Sequence, residues 1–253
     1  RSFLPVARMS DGEFMFALGP QPPDMRLPRL ARSASRCLQL WTHAARRGTF
    51  RAHTQGRYHS GEYSRREWRT LRTGFADDVR ALSERGIIAW HLTFSPRPFQ
   101  EHYFPALRAW WGTHDIQVTN RNYVPFYFVY AALTGTRRRE LLSGRLLVVN
   151  SAAGSKRQRI EARLSAEGAT RVHWLPISER RSLLDDVDVS PYMGKVDLAL
   201  VGAGIGKARV MRQMASLGVP CLDAGFVFEV WDDPRRAAER PYCNPDASAA
   251  WES

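Results

Sequence analysis

From residue 140 onward, short apolar runs alternate with segments of ten or more residues at helical spacing, and that alternation restricts the fold more than any other feature. Arg145 to Asn150 (RLLVVN) reads as a buried strand, followed by strands at Arg171 to Leu175, Val196 to Val201 (VDLALV) and Val219 to Leu222. Lys156 to Glu167 and Lys207 to Leu217 read as helices, ended by Gly168 and Gly218. Residues 176–194 are a polar excursion carrying Asp185, Asp186 and Asp188. Strands joined through helices need crossover connections, and crossovers produce a parallel sheet. The predicted fold is therefore α/β, Rossmann-like, a mainly parallel sheet flanked by helices. At 253 residues the chain suffices for one such domain. Its parts would be a helical and loop-rich stretch over 1–135, a regular nucleotide-binding stretch over 140–232 and a tail over 241–253.

The first part is less regular. An apolar segment precedes the turn Ser10-Asp11-Gly12, and Ser10 or Asp11 can cap a helix starting at Gly12. A Pro-rich loop follows to Pro28, then a helix over 29–48 and a polar loop over 49–65. Residues 66–85 read as a helix with Gly86 as its C-cap, Ile87 to Phe94 as a strand, 99–111 as a helix and Ile116 to Thr119 as a short strand. Tyr123 to Leu133 leads into a further helix.

Composition excludes some classes. Hydrophobic content of 44% and charged content of 25% argue against disorder. The longest apolar stretch, Tyr123 to Leu133, is about half of the ~20 residues that a membrane span needs. Three cysteines, Cys37, Cys221 and Cys243, lie far apart without metal-binding spacing, which fits a reducing, cytoplasmic setting, with Cys221 buried. The net charge is +12, and only Lys156, Lys195 and Lys207 among the 37 basic residues are lysines. Guanidinium suits phosphate and carboxylate partners, although an arginine-rich exposed surface explains most of the excess. No recognition helix or aromatic RNA motif accompanies it, so nucleic acid is not the expected partner. Oligomeric state is not readable.

The segment VDLALVGAGIGKARVMRQM is a strand, a glycine turn and a helix. Glycines permit a tight turn and close approach of backbone to a ligand, and a following helix offers N–H groups to an anion. Gly202, Ala203 and Gly204 form this loop, with Lys207 adding charge. It is not a P-loop, because Val201 occupies the first glycine position and Ala208 follows the lysine. Nor is it a dinucleotide fingerprint, which needs glycine where Lys207 stands, although Asp223 lies about 20 residues on.

Near the other end, Arg8, Ser10, Asp11, Gly12 and Glu13 place a cation, a hydroxyl and two carboxylates within six residues. Asp11 and Glu13 straddle a glycine, so both carboxylates can reach one hard cation, Mg2+ or Mn2+. Arg8 can hold a phosphate bound by that metal, which would stabilise a departing diphosphate.

Arg8-Met9-Ser10-Asp11-Gly12-Glu13-Phe14 resembles the R-x-G-D-G-E segment of the GT-D-fold glycosyltransferases. The run from Asp197 through Gly202-Ala203-Gly204, Leu217-Gly218 and Asp223-Ala224-Gly225 is similar to that family's second block, and Arg97-Pro98-Phe99 corresponds to an R-P-[YF] element between them. The resemblance implies a Rossmann-like fold, a nucleoside-diphosphate sugar donor, an acceptor it does not specify, and a divalent metal on Asp11 and Glu13, which become the catalytic pair. Arg8, Ser10, Gly12, Gly202, Ala203, Gly204, Lys207 and Asp223 become donor-binding positions. Three departures stand out: Ser10 for glycine, Gly-Ala-Gly for a Gly-Pro-Thr loop, and Phe226 for histidine.

Other residues carry weaker signals. The seven histidines (His43, His53, His59, His91, His102, His114 and His173) lack ligand spacing. Trp110, Trp111 and the aromatics over 123–130 suit core packing better than stacking on a ligand. Glu229 and Asp232 are candidates to face the cleft as an acceptor-activating base. Two other classes stay open: an NAD-dependent or other nucleotide-using enzyme, and a non-catalytic basic binding protein.

Overall fold

The computed structural model describes residues 2–18, 65–90, 97–240 and 243; within its helices the side chains of residues 11, 15, 65, 66, 68, 69 and 97–103 lie outside that description. The Pro-rich loop, the helix over 29–48, nearly all of the loop over 49–65, most of the tail and Cys37 fall outside the described residues.

The four strands expected after residue 140 are present as β4 (Gly144–Asn150), β5 (Ala169–Pro176), β6 (Leu198–Gly202) and β7 (Pro220–Asp223). The first part of the chain adds β1 (Leu4–Met9), β2 (Ile87–Trp90) and β3 (Tyr123–Pro125). All pair in parallel, in the order β3-β2-β1-β7-β6-β4-β5. The fold is thus α/β and Rossmann-like.

Strand residues alternate cleanly between two cores. Ala7, Ile88, Val149, Val201 and Cys221 face the layer that holds α1 (Asp11–Leu18), α2 (Arg65–Arg85), α3 (Arg97–Thr113) and α7 (Lys207–Gln213). Val6, Ala89, Val148, Leu200 and Leu222 face α4 (Phe128–Thr134), α5 (Arg138–Leu142), α6 (Gly154–Ala166) and α8 (Val227–Asp232). Each fully buried leucine or valine contributes about 1.5–3 kcal/mol. Cys221 is fully buried, as expected.

This layering positions the site. From β1 and β6 the chain turns into the first layer, and from β4 and β7 it turns into the second. Along β1-β7-β6-β4 the exits therefore splay to alternate faces. Adjacent strands leaving to opposite faces open a crevice at their carboxyl ends, where α/β sheets take ligands.

Two expectations are corrected. Ile116 to Thr119 is not a strand. Asn122 gathers this segment into a turn, its Oδ1 accepting from Thr119 N at 2.7 Å and its Nδ2 donating to Gln117 O at 2.8 Å and Ser83 O at 2.9 Å. The strand comes later, at Tyr123, after Ile88 N has bonded Asn122 O at 2.7 Å. Ile116 and Val118 pack on the core from within the turn, which explains their strand-like alternation.

Gly86 does end α2, but not through a left-handed φ, which Gly218 does show at 63°. A Cβ on Gly86 would overlap the backbone oxygen and ring of Pro5 on β1, so glycine there lets the start of β2 approach β1. Gly86→Ala is expected to destabilise the fold by about 1–3 kcal/mol, the usual range for overpacking against backbone. Chemical denaturation checks this, and an unchanged midpoint would refute the packing role.

Candidate functional site

β1 ends with Arg8 and Met9 at the carboxyl edge of the sheet, both buried, and the chain turns at once into α1. Ser10 caps that helix: its carbonyl accepts from Phe14 N at 2.9 Å, while Glu13 Oε2 accepts from Ser10 N at 2.9 Å. This is the return half of an S-x-x-E capping box. Glu13 is therefore held by its own helix start, one residue earlier in register than expected, since α1 begins at Asp11.

β7 lies beside β1, with Val6 opposite Leu222, so its last residue, Asp223, meets Arg8. Arg8 Nη2 donates to Asp223 Oδ1 at 3.1 Å, Arg8 Nε to the Asp223 carbonyl at 2.9 Å and the Arg8 backbone N–H to Oδ2 at 3.3 Å. From the start of α7, Lys207 reaches back into the same point. Its Nζ lies 2.8 Å from Glu13 Oε1, 3.1 Å from Asp223 Oδ2 and 2.9 Å from the Arg8 carbonyl. Arg8, Glu13, Lys207 and Asp223 are all buried, at 3%, 6%, 6% and 1% exposure.

Two cations and two carboxylates thus form a neutral, dry cluster. Burial alone would push the Asp223 carboxyl up, but Arg8 and Lys207 together hold it below the usual range. Burial alone would pull the Lys207 ammonium down, but Asp223 and Glu13 outweigh it and raise it. On its other side, the Arg8 guanidinium stacks on Tyr130 at 4.3 Å and Phe126 at 5.2 Å. Its Nη1 is buried and has no hydrogen-bond partner. The aromatics read as core packing do pack there: Trp110 and Trp111 on Phe75 and Trp90 in the first core, and Tyr130 in the second, where it also borders the charge cluster.

The glycine loop has more specific reasons for its glycines than a generic turn. A Cβ on Gly202 would overlap Asn150 and Phe228, and one on Gly206 would overlap Ser182. Gly204 takes φ +52°. Asn150 Nδ2 donates to Gly202 O at 3.2 Å, and Ser182 Oγ donates to Ala203 O at 2.8 Å. The expected helix over Lys207 to Leu217 is α7, of seven residues, with a 3-10 turn after it. Lys207 points into the protein, toward the first segment, rather than outward from the loop.

Other candidates have partners. Glu229 pairs with Lys156 at 2.6 Å and with Arg236 at 2.5 Å, and Asp232 pairs with Arg159 at 2.7 Å. Each carboxylate thus binds a cation of α6, which does not suit a free general base. Phe226, at the position of the family's histidine, carries Arg236 at 5.1 Å and Arg240 at 5.4 Å. Asp185 accepts from Ser178, Asp186 pairs with Arg209 and Asp188 accepts from Ser190. His114 packs on Trp110 and His173 on Tyr192. Among the described residues no three His, Cys, Asp or Glu side chains gather in a way that could hold a metal, and no helix is long and apolar enough to cross a membrane.

No family model matches the chain, and no curated protein or solved structure matches it either.

The structure brings Arg8, Ser10 and Glu13 together with Lys207 and Asp223, and sets the Gly202–Gly204 loop at the neighbouring strand end. The Ser10–Glu13 capping contact was signalled in the sequence by the S-x-x-E spacing. The Lys207–Glu13 pair had no such signal.

Proposed function

We propose that this chain transfers a sugar from a nucleoside-diphosphate donor to an acceptor, as a GT-D-like glycosyltransferase, with the diphosphate at the carboxyl ends of β1, β7 and β6. One observation carries the reading: the two segments that resemble the family, Arg8–Phe14 and Asp197–Gly225, lie at opposite ends of the chain and meet in one buried cluster. The unpartnered Arg8 Nη1 supports it, because a buried guanidinium donor is stabilised by an oxyanion. Gly12, Gly202, Ala203 and Gly204 would let the donor approach backbone, and Arg8 would meet the charge that develops on the leaving diphosphate. The resemblance also implies Mn2+ or Mg2+ at Asp11 and Glu13, a role that Glu13, bonded to Lys207 and to the Ser10 N–H, does not suit.

A dinucleotide reading is less well supported. It needs a carboxylate free to receive ribose hydroxyls, and both Asp223 oxygens are bound to Arg8 and Lys207.

The test is a thermal-shift panel of ADP, GDP, UDP, CDP and their sugar derivatives, run in Mn2+ and in EDTA. At 100-fold excess over Kd, a ligand should add about 2.7 kcal/mol of stability. For a chain of this size that is roughly 5–10 °C in Tm. Absence of a shift with every compound in both conditions would sink the proposal.

A further inference from the structure

We infer that Lys207 is the resident cation of this site, standing where the resemblance places a divalent metal, and that Glu13 positions this lysine instead of ligating a metal. The inference rests on the diphosphate-site reading for its functional meaning, but it is testable without a nucleotide.

The donor set is the first ground. Glu13 Oε1 bonds the Lys207 ammonium at 2.8 Å and Oε2 accepts from the Ser10 N–H at 2.9 Å, so both oxygens are engaged and buried. Asp223, the other carboxylate within reach of the ammonium, binds Arg8 and Lys207 through both of its oxygens. A metal could reach Glu13 Oε1 only by displacing Lys207. Mg2+ and Mn2+ favour a full shell of oxygen ligands, usually one or two carboxylates with water and phosphate. A buried carboxylate already shared with an ammonium does not suit that role.

The ammonium itself is the second ground. Nζ has three hydrogens and three acceptors: Glu13 Oε1, Asp223 Oδ2 and the Arg8 carbonyl. It is fully satisfied, and the cluster it completes is neutral. A divalent ion on Glu13 would add two charges to that neutral, dry cluster, or would have to expel the lysine.

The choice of residue is the third ground. Only three of the 37 basic residues are lysines. Lys156 and Lys195 sit on partly exposed helix or loop contacts, to Glu229 and to the Pro191 carbonyl. In a chain that otherwise uses arginine, the buried position has the compact ammonium. A point charge with three donors fits a cage of three oxygens, whereas a planar guanidinium does not.

Functionally, Lys207 removes the repulsion that Glu13 and Asp223 would exert on a diphosphate. Arg8 Nη1, buried and without a hydrogen-bond partner, is then the cationic donor that an oxyanion would satisfy. Glu13 is then a positioning residue, acting through Lys207 and the Ser10 N–H.

The experiment is Mn2+ titration of the full chain, by calorimetry and by loss of the free-ion paramagnetic signal. Wild-type protein is expected to take up no stoichiometric Mn2+ below about 1 mM, and Glu13→Gln should leave that unchanged. Lys207→Met, which releases Glu13 Oε1 and removes one cation from Asp223 Oδ2, should bind one Mn2+ at least about tenfold more tightly than wild type. Nucleoside-diphosphate stabilisation of the wild type should be equal in Mn2+ and in EDTA.

One-to-one Mn2+ uptake by the wild type that Glu13→Gln removes would overturn the inference, as would a folded Lys207→Met with no gain in Mn2+ binding. If Lys207→Met does not fold, the wild-type and Glu13→Gln titrations decide alone. Nucleotide binding that requires Mn2+ overturns the inference while leaving the proposed function standing. No nucleotide binding in any condition sinks the proposed function, and the Mn2+ titrations still decide the role of Lys207.

Discussion

Asp223→Asn is expected to lose about 3–5 kcal/mol of stability, the range for breaking a buried ion pair from one side. The change keeps the shape of the side chain and removes its charge. Lys207 then keeps Glu13 while Arg8 loses its Asp223 carboxylate, and the dry cluster carries an uncompensated positive charge. The pH dependence checks the cause. The folded-state pKa of Asp223 is depressed, so its contribution is present above the unfolded value, about 4, and is lost as pH falls through the folded value. Wild-type stability should therefore drop on acidification below about pH 4 more steeply than that of Asp223→Asn. Lys207 has the opposite sign. Its folded pKa is raised, so its contribution is fully present below 10.5 and is lost as pH rises through the folded value. A double variant, Asp223→Asn with Lys207→Met, removes the excess charge and should be more stable than the sum of the single losses predicts, by roughly 0.5–3 kcal/mol. Denaturation midpoints measured across pH decide it. Parallel acid limbs for wild type and Asp223→Asn would show that Asp223 is not charged in the cluster.

How far the sequence revealed this arrangement depends on what each segment had to bury. β4, β6 and β7 are apolar strands inside a parallel sheet, so their residues are hydrophobic on both faces and each is bounded by a loop or glycine. β1 was visible only as an apolar segment. Its sequence, LPVARM, contains a proline and an arginine, both buried, and those residue types argue against a central strand unless the charge has a partner. That partner is Asp223, 215 residues away, and no local pattern can indicate it. β3 has three residues, too few for a periodic signal. At the site, the separate segments were legible because carboxylates, glycines and cations cluster at each of them. Their joining was implied by resemblance alone. The direction of the Lys207 side chain was not legible at all, since a lysine in the first turn of a helix can point toward a ligand or back into the protein. The strand order decides the outcome: with β1 beside β7 and α7 packed over them, Glu13 and Asp223 lie within the lysine's reach.

Gly225→Ala is expected to be the most damaging of the glycine substitutions, with a loss of at least about 3 kcal/mol. Two effects add. Gly225 has φ +45°, where a residue with a Cβ is strained by about 1–2 kcal/mol. More important, a Cβ there would overlap Arg8 Nη2, the atom that bonds Asp223 Oδ1. Arg8 cannot easily move aside. It is enclosed by Tyr130 and Phe126 on one side and bonded to the Asp223 carboxylate and carbonyl on the other. The methyl group therefore forces the buried pair apart, or forces the turn after β7 away from β1. Gly218→Ala separates the two effects: Gly218 has φ +63° with nothing near its Cβ position, so it carries the backbone strain alone. The midpoint difference between the two variants measures the clash with Arg8. Shortening Arg8 should remove the clash, so Gly225→Ala should add only its strain of about 1–2 kcal/mol in an Arg8→Ala background. Equal losses for Gly225→Ala and Gly218→Ala, or an undiminished loss in the Arg8→Ala background, would mean that Gly225 serves the turn and not the charge cluster.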